Sequence, residues 1–177
     1  KEDKIECCRR SIQSCRDALL VRSLESQPLA YATTQKNLGN AFLALAEEEA
    51  SLENSQLALE AFRRALEVYS RKSHPKLYAA TQNCIGSAHL AEAQIMDRAE
   101  NCLKAIRAAR EALEIFDKET TPEDYAESQG ILWLGYLILA EIEYRAENCL
   151  LALEACQERL AVFSTSKSLE YASCQKD

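Results

Sequence analysis

Pro28-Leu29-Ala30-Tyr31-Ala32, Pro75-Lys76-Leu77-Tyr78-Ala79 and Pro122-Glu123-Asp124-Tyr125-Ala126 are one pentapeptide opening met three times, 47 residues apart each time. The register holds well beyond the opening. Gln35, Gln82 and Gln129 keep it, as do Leu43, Leu90 and Leu137, the pairs Glu53-Asn54, Glu100-Asn101 and Glu147-Asn148, and Leu66, Leu113 and Leu160. Self-similarity at a period of 20–50 residues is the signature of repeat architectures, in which each unit buries its apolar face only against its neighbours.

Each unit reads as two amphipathic helices. A proline is tolerated in the first helical turn, where its missing N–H has no intrahelical acceptor. At Thr121-Pro122-Glu123-Asp124 the threonine is expected to cap, with the two acids at the positive end of the helix dipole. The first helix then presents Tyr31, Leu38, Phe42 and Leu45 on one face, and the second presents Ala58, Leu59, Phe62, Ala65, Leu66 and Tyr69. The break between the two helices is expected near Met96-Asp97-Arg98-Ala99-Glu100, with Asp97 and Glu100 forming a capping box.

Residues 1–27 align with the second helix of a preceding unit. Complete units follow at 28–74, 75–121 and 122–167, and 168–177 restart the signature. The chain is therefore expected to be a section of a longer repeat protein. Composition agrees with an all-α class. Of 177 residues only four are glycine and three proline, where average usage gives about 20 together. Alanine, leucine and glutamate, all strong helix formers, supply 73.

Leu38-Gly39-x-x-Phe42 followed by Ala58-x-x-x-Phe62-x-x-Ala65 resembles the tetratricopeptide pattern over essentially the whole chain, in the long variant found in kinesin light chains and in bacterial and archaeal repeat proteins. The resemblance implies an α-solenoid, a right-handed superhelix of antiparallel helix pairs whose first helices line a concave groove for a partner peptide or helix. It implies no catalytic chemistry. Relative to the usual 34-residue unit, seven residues are added between Phe42 and Ala58, about two helical turns, so the facing is preserved.

Charge and motifs narrow the function. A net charge of −7 argues against a nucleic-acid partner, since that affinity rests on clustered cations. The longest apolar run, Ile131 to Ala140, is too short to span a membrane. The eight cysteines contain no Cys-x-x-Cys, and most recur at core positions, so they read as reduced structural thiols in a cytoplasmic protein. His74 precedes a helix-opening proline and His89 stands where the sister units have Phe42 and Tyr136. Neither forms a recognisable nucleophile arrangement. No enzyme, cofactor or metal is expected, and Glu47-Glu48-Glu49 reads as a solvated run. Lys36-Asn37-Leu38-Gly39-Asn40 looks like one element of a carboxylate clamp, but Cys84, Glu127 and Ile131 stand where such a clamp has Asn, Lys and Arg.

The expected function is a protein-interaction scaffold, with self-assembly through the repeat ends, or a targeting or regulatory role within a larger enzyme or sensor, as alternatives. The groove is expected to offer Lys36, Asn37 and Asn40 in the first unit, Asn83, Cys84 and Ser87 in the second, and Leu134, Leu137 and Ile138 in the third, running from polar to apolar. Two local expectations accompany this. Trp133 and Arg159 replace the pairs Gly39/Ala65 and Gly86/Ala112, which predicts a splayed third hairpin with a cation–π contact. Cys7, Cys84 and Cys174 are expected to react with thiol reagents while Cys102, Cys149 and Cys156 stay protected.

Overall fold

Each of the three prolines opens a helix. In the computed structural model, which describes the backbone of residues 2–174 and the side chains of residues 2–163, the helices are α1 (Glu2–Leu19), α2 (Pro28–Glu49), α3 (Leu52–Leu66), α4 (Pro75–Ala93), α5 (Arg98–Leu113), α6 (Pro122–Ile142) and α7 (Arg145–Cys174). No strand occurs among the described residues, and no helix there is long and apolar enough to cross a membrane.

The repeat is as regular in space as in sequence. Ahead of each proline the chain makes the same turn: Ser23 Oγ accepts from the Ser26 N–H at 3.0 Å, Ser70 Oγ from the Ser73 N–H at 3.0 Å, and Asp117 Oδ1 from the Thr120 N–H at 3.1 Å. Such short-range side-chain bonds offer the backbone an alternative to the helix and so punctuate it. Gln27, His74 and Thr121 then take nearly identical dihedrals (φ −143°, −140° and −141°) before the prolines. None of them caps with its side chain. The expected cap at Thr121 is corrected accordingly: its hydroxyl turns back, accepting from the Asp117 N–H at 2.9 Å and donating to the Asp117 carbonyl at 3.1 Å.

Between first and second helices the chain passes through the left-handed region at Ala50 (φ 49°), Asp97 (46°) and Tyr144 (48°), again 47 residues apart. That conformation removes the expected capping box, because a capping side chain works from extended dihedrals, and Asp97 makes no side-chain cap. An asparagine secures the turn from the other side. Asn101 Nδ2 donates to the Met96 carbonyl at 3.1 Å, Asn148 Nδ2 to the Glu143 carbonyl at 2.9 Å, and Asn54 Nδ2 to the Glu49 carboxylate at 3.1 Å.

Consecutive helices pack on one another throughout. In addition α2 packs beside α4 and α4 beside α6, whereas no two of α1, α3, α5 and α7 come together backbone to backbone. The first helices thus form one layer. Leu38, Phe42 and Leu45 bury against Ala58, Leu59 and Phe62 in the first unit, and Leu90, Ile106, Leu132 and Leu139 do the same work further along. Each large side chain so covered contributes about 1.5–3 kcal/mol.

Two expected pairings are replaced by others. Gly39 lies against the Phe62 ring rather than facing Ala65, and the Arg159 guanidinium lies against Gly130, 3.4 Å from where a Cβ would stand, rather than on Trp133. Trp133 packs against the core cluster of α5, α6 and α7, and ring–guanidinium contacts among the described residues are Arg16–Phe42, Arg71–Tyr78 and Arg110–Tyr136. A further difference concerns the last boundary. The helix α7 runs on through Ser168, where a new unit was expected to open. The side chains of residues 168–177, Cys174 among them, lie outside the described residues.

Candidate partner-binding groove

The nine expected groove residues lie on α2, α4 and α6, and the structure gives them different surroundings. Lys36 is half-buried, and Asn37 and Asn40 are exposed, the last two facing a cleft of about 580 Å³ shared with α1. Ser87 and Leu134 meet in a second cleft of about 380 Å³, bounded by Glu47, Ala50 and Gln94 at the C-terminal ends of α2 and α4. Leu137 is exposed and opens instead onto the turn between α6 and α7, beside Tyr144 and Cys149.

Asn83 does not belong to the groove. It is 0% exposed, and its amide ties α4 to α6: Nδ2 donates to the Asp124 carbonyl at 3.3 Å while Oδ1 accepts from Ser128 Oγ at 2.8 Å. A buried amide needs its hydrogen bonds met, and the neighbouring unit meets them. Cys84 is half-buried. Burial pushes its thiol up to about 11, with Glu127 adding to the rise and Lys36 opposing it, so little nucleophilic thiolate forms near neutral pH. Cys102 is buried as expected, Cys156 is half-buried, and Cys149 is exposed where protection was expected. Leu134 and Ile138 are half covered by the core of the third unit and are less free than the uninterrupted apolar run implied.

One residue of the face was missed. Glu127 of α6 looked only like the acid that spoils a carboxylate clamp, yet it acts electrostatically on Cys84, as Lys36 does, and is itself acted on by Lys36. Surrounding protein and the neighbouring Asp124 push its carboxyl above the ordinary range, while Lys36 and the Asn83 amide pull it back. Lys36 of α2, Cys84 of α4 and Glu127 of α6 thus form a mixed polar track across the layer. Among the described residues, no cluster of three or more metal-ligating side chains accompanies it.

The back of the molecule is built differently. Because, among the described residues, no two second helices approach backbone to backbone, clefts remain between α1 and α3 and between α3 and α5, floored by α2 and α4. In the latter lie His89 and Glu92, both buried, with Nδ1 and Oε2 3.0 Å apart. Burial, abetted by Lys104 and Arg63, lowers the imidazole below its ordinary range against the pull of Glu92.

No protein-family model, curated protein or solved structure matches this chain.

Proposed function

We propose that the chain is a protein-interaction scaffold of the tetratricopeptide kind, a right-handed superhelix whose first helices receive a peptide or helix of a partner protein. The observation that carries this reading is the asymmetry of packing: first helices sit side by side, second helices do not, and the free side of the first-helix layer keeps a polar track with Lys36, Asn37, Asn40 and Ser87 at hand. The exposed area agrees. The chain presents 10588 Å² to solvent, against about 8,700 Å² for a compact protein of its mass. Two clefts line the free side, at the α1 end and at the C-terminal ends of α2 and α4. The free thiols fit a reducing compartment such as the cytoplasm.

The test is differential capture. The native chain, a groove variant carrying Asn40→Arg and Ser87→Arg, and a back-face variant carrying Arg107→Glu are immobilised in parallel. A partner held by the native and back-face forms and released by the groove variant supports the reading; equal retention by all three refutes it.

A stripe on α7 favours a second reading. Leu150, Leu153, Leu160 and Phe163 are 62%, 54%, 60% and 47% exposed along one flank of the helix. An apolar flank of that length marks an association surface, so α7 is the place where a second copy of the chain would pair. Light scattering of the native chain beside Leu153→Glu/Leu160→Glu reads this out as a mass that halves in the variant.

A further inference from the structure

The two kinds of helix end differently. The last turns of α1, α3 and α5 carry Arg16, Arg63 with Arg64, and Arg110, cations that suit the negative end of a helix dipole. The last turns of α2, α4 and α6 carry no cation and have acids instead: Glu47, Glu48 and Glu49, then Glu92, then Glu141. An acid at that end is repelled by the carbonyls of its own helix. Four of the five are answered from within the chain. Lys4 reaches Glu48 at 3.3 Å, Arg9 reaches Glu49 at 3.0 Å, Arg98 reaches Glu141 at 2.9 Å, and His89 Nδ1 lies 3.0 Å from Glu92 Oε2. Glu47 has no ion pair or side-chain hydrogen bond among the described residues.

Glu47 is exposed and lines the cleft of about 380 Å³ where α2 and α4 end. The other side chains lining it carry no charge: Leu90, Ile95 and Leu134 make apolar walls, and Ser87 and Gln94 add neutral polar groups. Backbone acceptors stand open beside the carboxylate. The left-handed turn at Ala50 directs the N–H groups of Ala50 and Ser51 to the Ala46 carbonyl, so those of Glu47, Glu48 and Glu49 accept no backbone hydrogen bond among the described residues. The cleft thus joins an apolar wall to one unanswered carboxylate and the open end of a helix.

We propose that this cleft takes a lysine side chain of the partner segment. Its four-carbon stem lies along Leu90, Ile95 and Leu134, and its ammonium meets the Glu47 carboxylate and the open carbonyls that end α2. Acceptors of two kinds, in different directions, suit the three rotatable donors of an ammonium better than the planar fork of a guanidinium, which matches one carboxylate or phosphate. A long side chain that buries its stem and keeps a charged head at the rim fits a cleft of this make. The net charge of −7 favours a basic partner in the same way. The proposal rests on the reading of the first-helix layer as the binding face and names what that face recognises.

The probes are two rhodamine-labelled octapeptides with blocked ends, alanine except for Leu-Lys-Leu or Leu-norleucine-Leu at the centre, titrated with the full chain and followed by anisotropy. The expected result is saturable binding in which the lysine peptide is favoured about tenfold, the worth of one charge-assisted hydrogen bond. Raising the salt from about 0.05 M to about 0.5 M shrinks that preference. Glu47→Lys abolishes it, while helical content and melting temperature are kept or raised, since an acid leaves the wrong end of a helix. The absence of saturation up to about 1 mM, or a lysine preference that survives Glu47→Lys, overturns the proposal. So does a fall in melting temperature in Glu47→Lys, which would show the carboxylate to be answered within the free chain. Failure of the wider reading looks different: the captured partner is then retained by Asn40→Arg/Ser87→Arg, whatever the peptides do. A partner released by that variant but held undiminished by Glu47→Lys leaves the binding face in place and overturns the lysine alone.

Discussion

The Phe62 ring occupies the space that any side chain at Gly39 would need. Phe62 is fully buried and Gly39 sits in the middle of α2, so small and large are matched across the first hairpin. The matching inverts in the third unit, where Trp133 and Cys156 stand at the same two positions, and neither is large in the second, with Gly86 and Ala109.

Gly39→Ala is therefore expected to destabilise by about 1–3 kcal/mol through overpacking, although alanine is the better helix former by about 1 kcal/mol. In a Phe62→Ala background, which copies the second unit, the same substitution becomes neutral or stabilising. Urea unfolding of the four proteins in this double-mutant cycle reads the coupling directly.

The pair His89 and Glu92 is expected to cost stability. The sister units have Phe42 with Leu45 and Tyr136 with Leu139 at these positions, and a buried pair of polar groups is often matched or bettered by well-packed apolar residues. The double variant His89→Phe/Glu92→Leu should gain about 1–3 kcal/mol, whereas His89→Phe alone strands a buried carboxylate and loses about 3–5 kcal/mol. The sign with pH is fixed by the lowered imidazole. Its contribution is present above the ordinary histidine value of about 6.5 and is lost as pH falls through the folded value. Calorimetry from about pH 7 to about pH 5 should show the native chain losing more melting temperature than the double variant.

Tyr144 is a bulky residue in the left-handed region and 72% exposed, so little packing opposes its replacement. Tyr144→Gly is expected to stabilise by about 0.5–1 kcal/mol, the left-handed strain of about 1–2 kcal/mol less the added freedom of the unfolded glycine. A melting temperature raised by about 2–4 °C is the readout.

Glu127 carries a raised carboxyl, so the folded chain holds that proton more tightly than the unfolded one. The resulting stabilisation is complete below the ordinary glutamate value of about 4.3 and is lost as pH rises through the folded value. Glu127→Gln should therefore melt above the native chain at neutral pH and level with it near about pH 3.5. Thermal denaturation at the two pH values decides it.

The helices were legible because proline, tyrosine and alanine mark the same three positions in every unit, and because apolar spacing gives a face without knowledge of neighbours. What the period could not give was closure between units. Asn83 shares a register with Lys36, and only its partner Ser128, 45 residues away, makes it a buried clamp rather than a groove residue. Cys84 lies half-buried on the layer, and it is the surrounding helices, invisible to the period, that push its thiol up. The capping box at Asp97 failed on backbone geometry, since the composition was right and the left-handed dihedral removed its use.

The central claim is that the first-helix layer is the binding face. Hydrogen exchange of the chain alone and bound to a partner captured by the native form tests it directly. The account predicts slowed exchange in the segments of α2, α4 and α6. Slowing confined to α3 and α5, with α2, α4 and α6 unchanged, would contradict it.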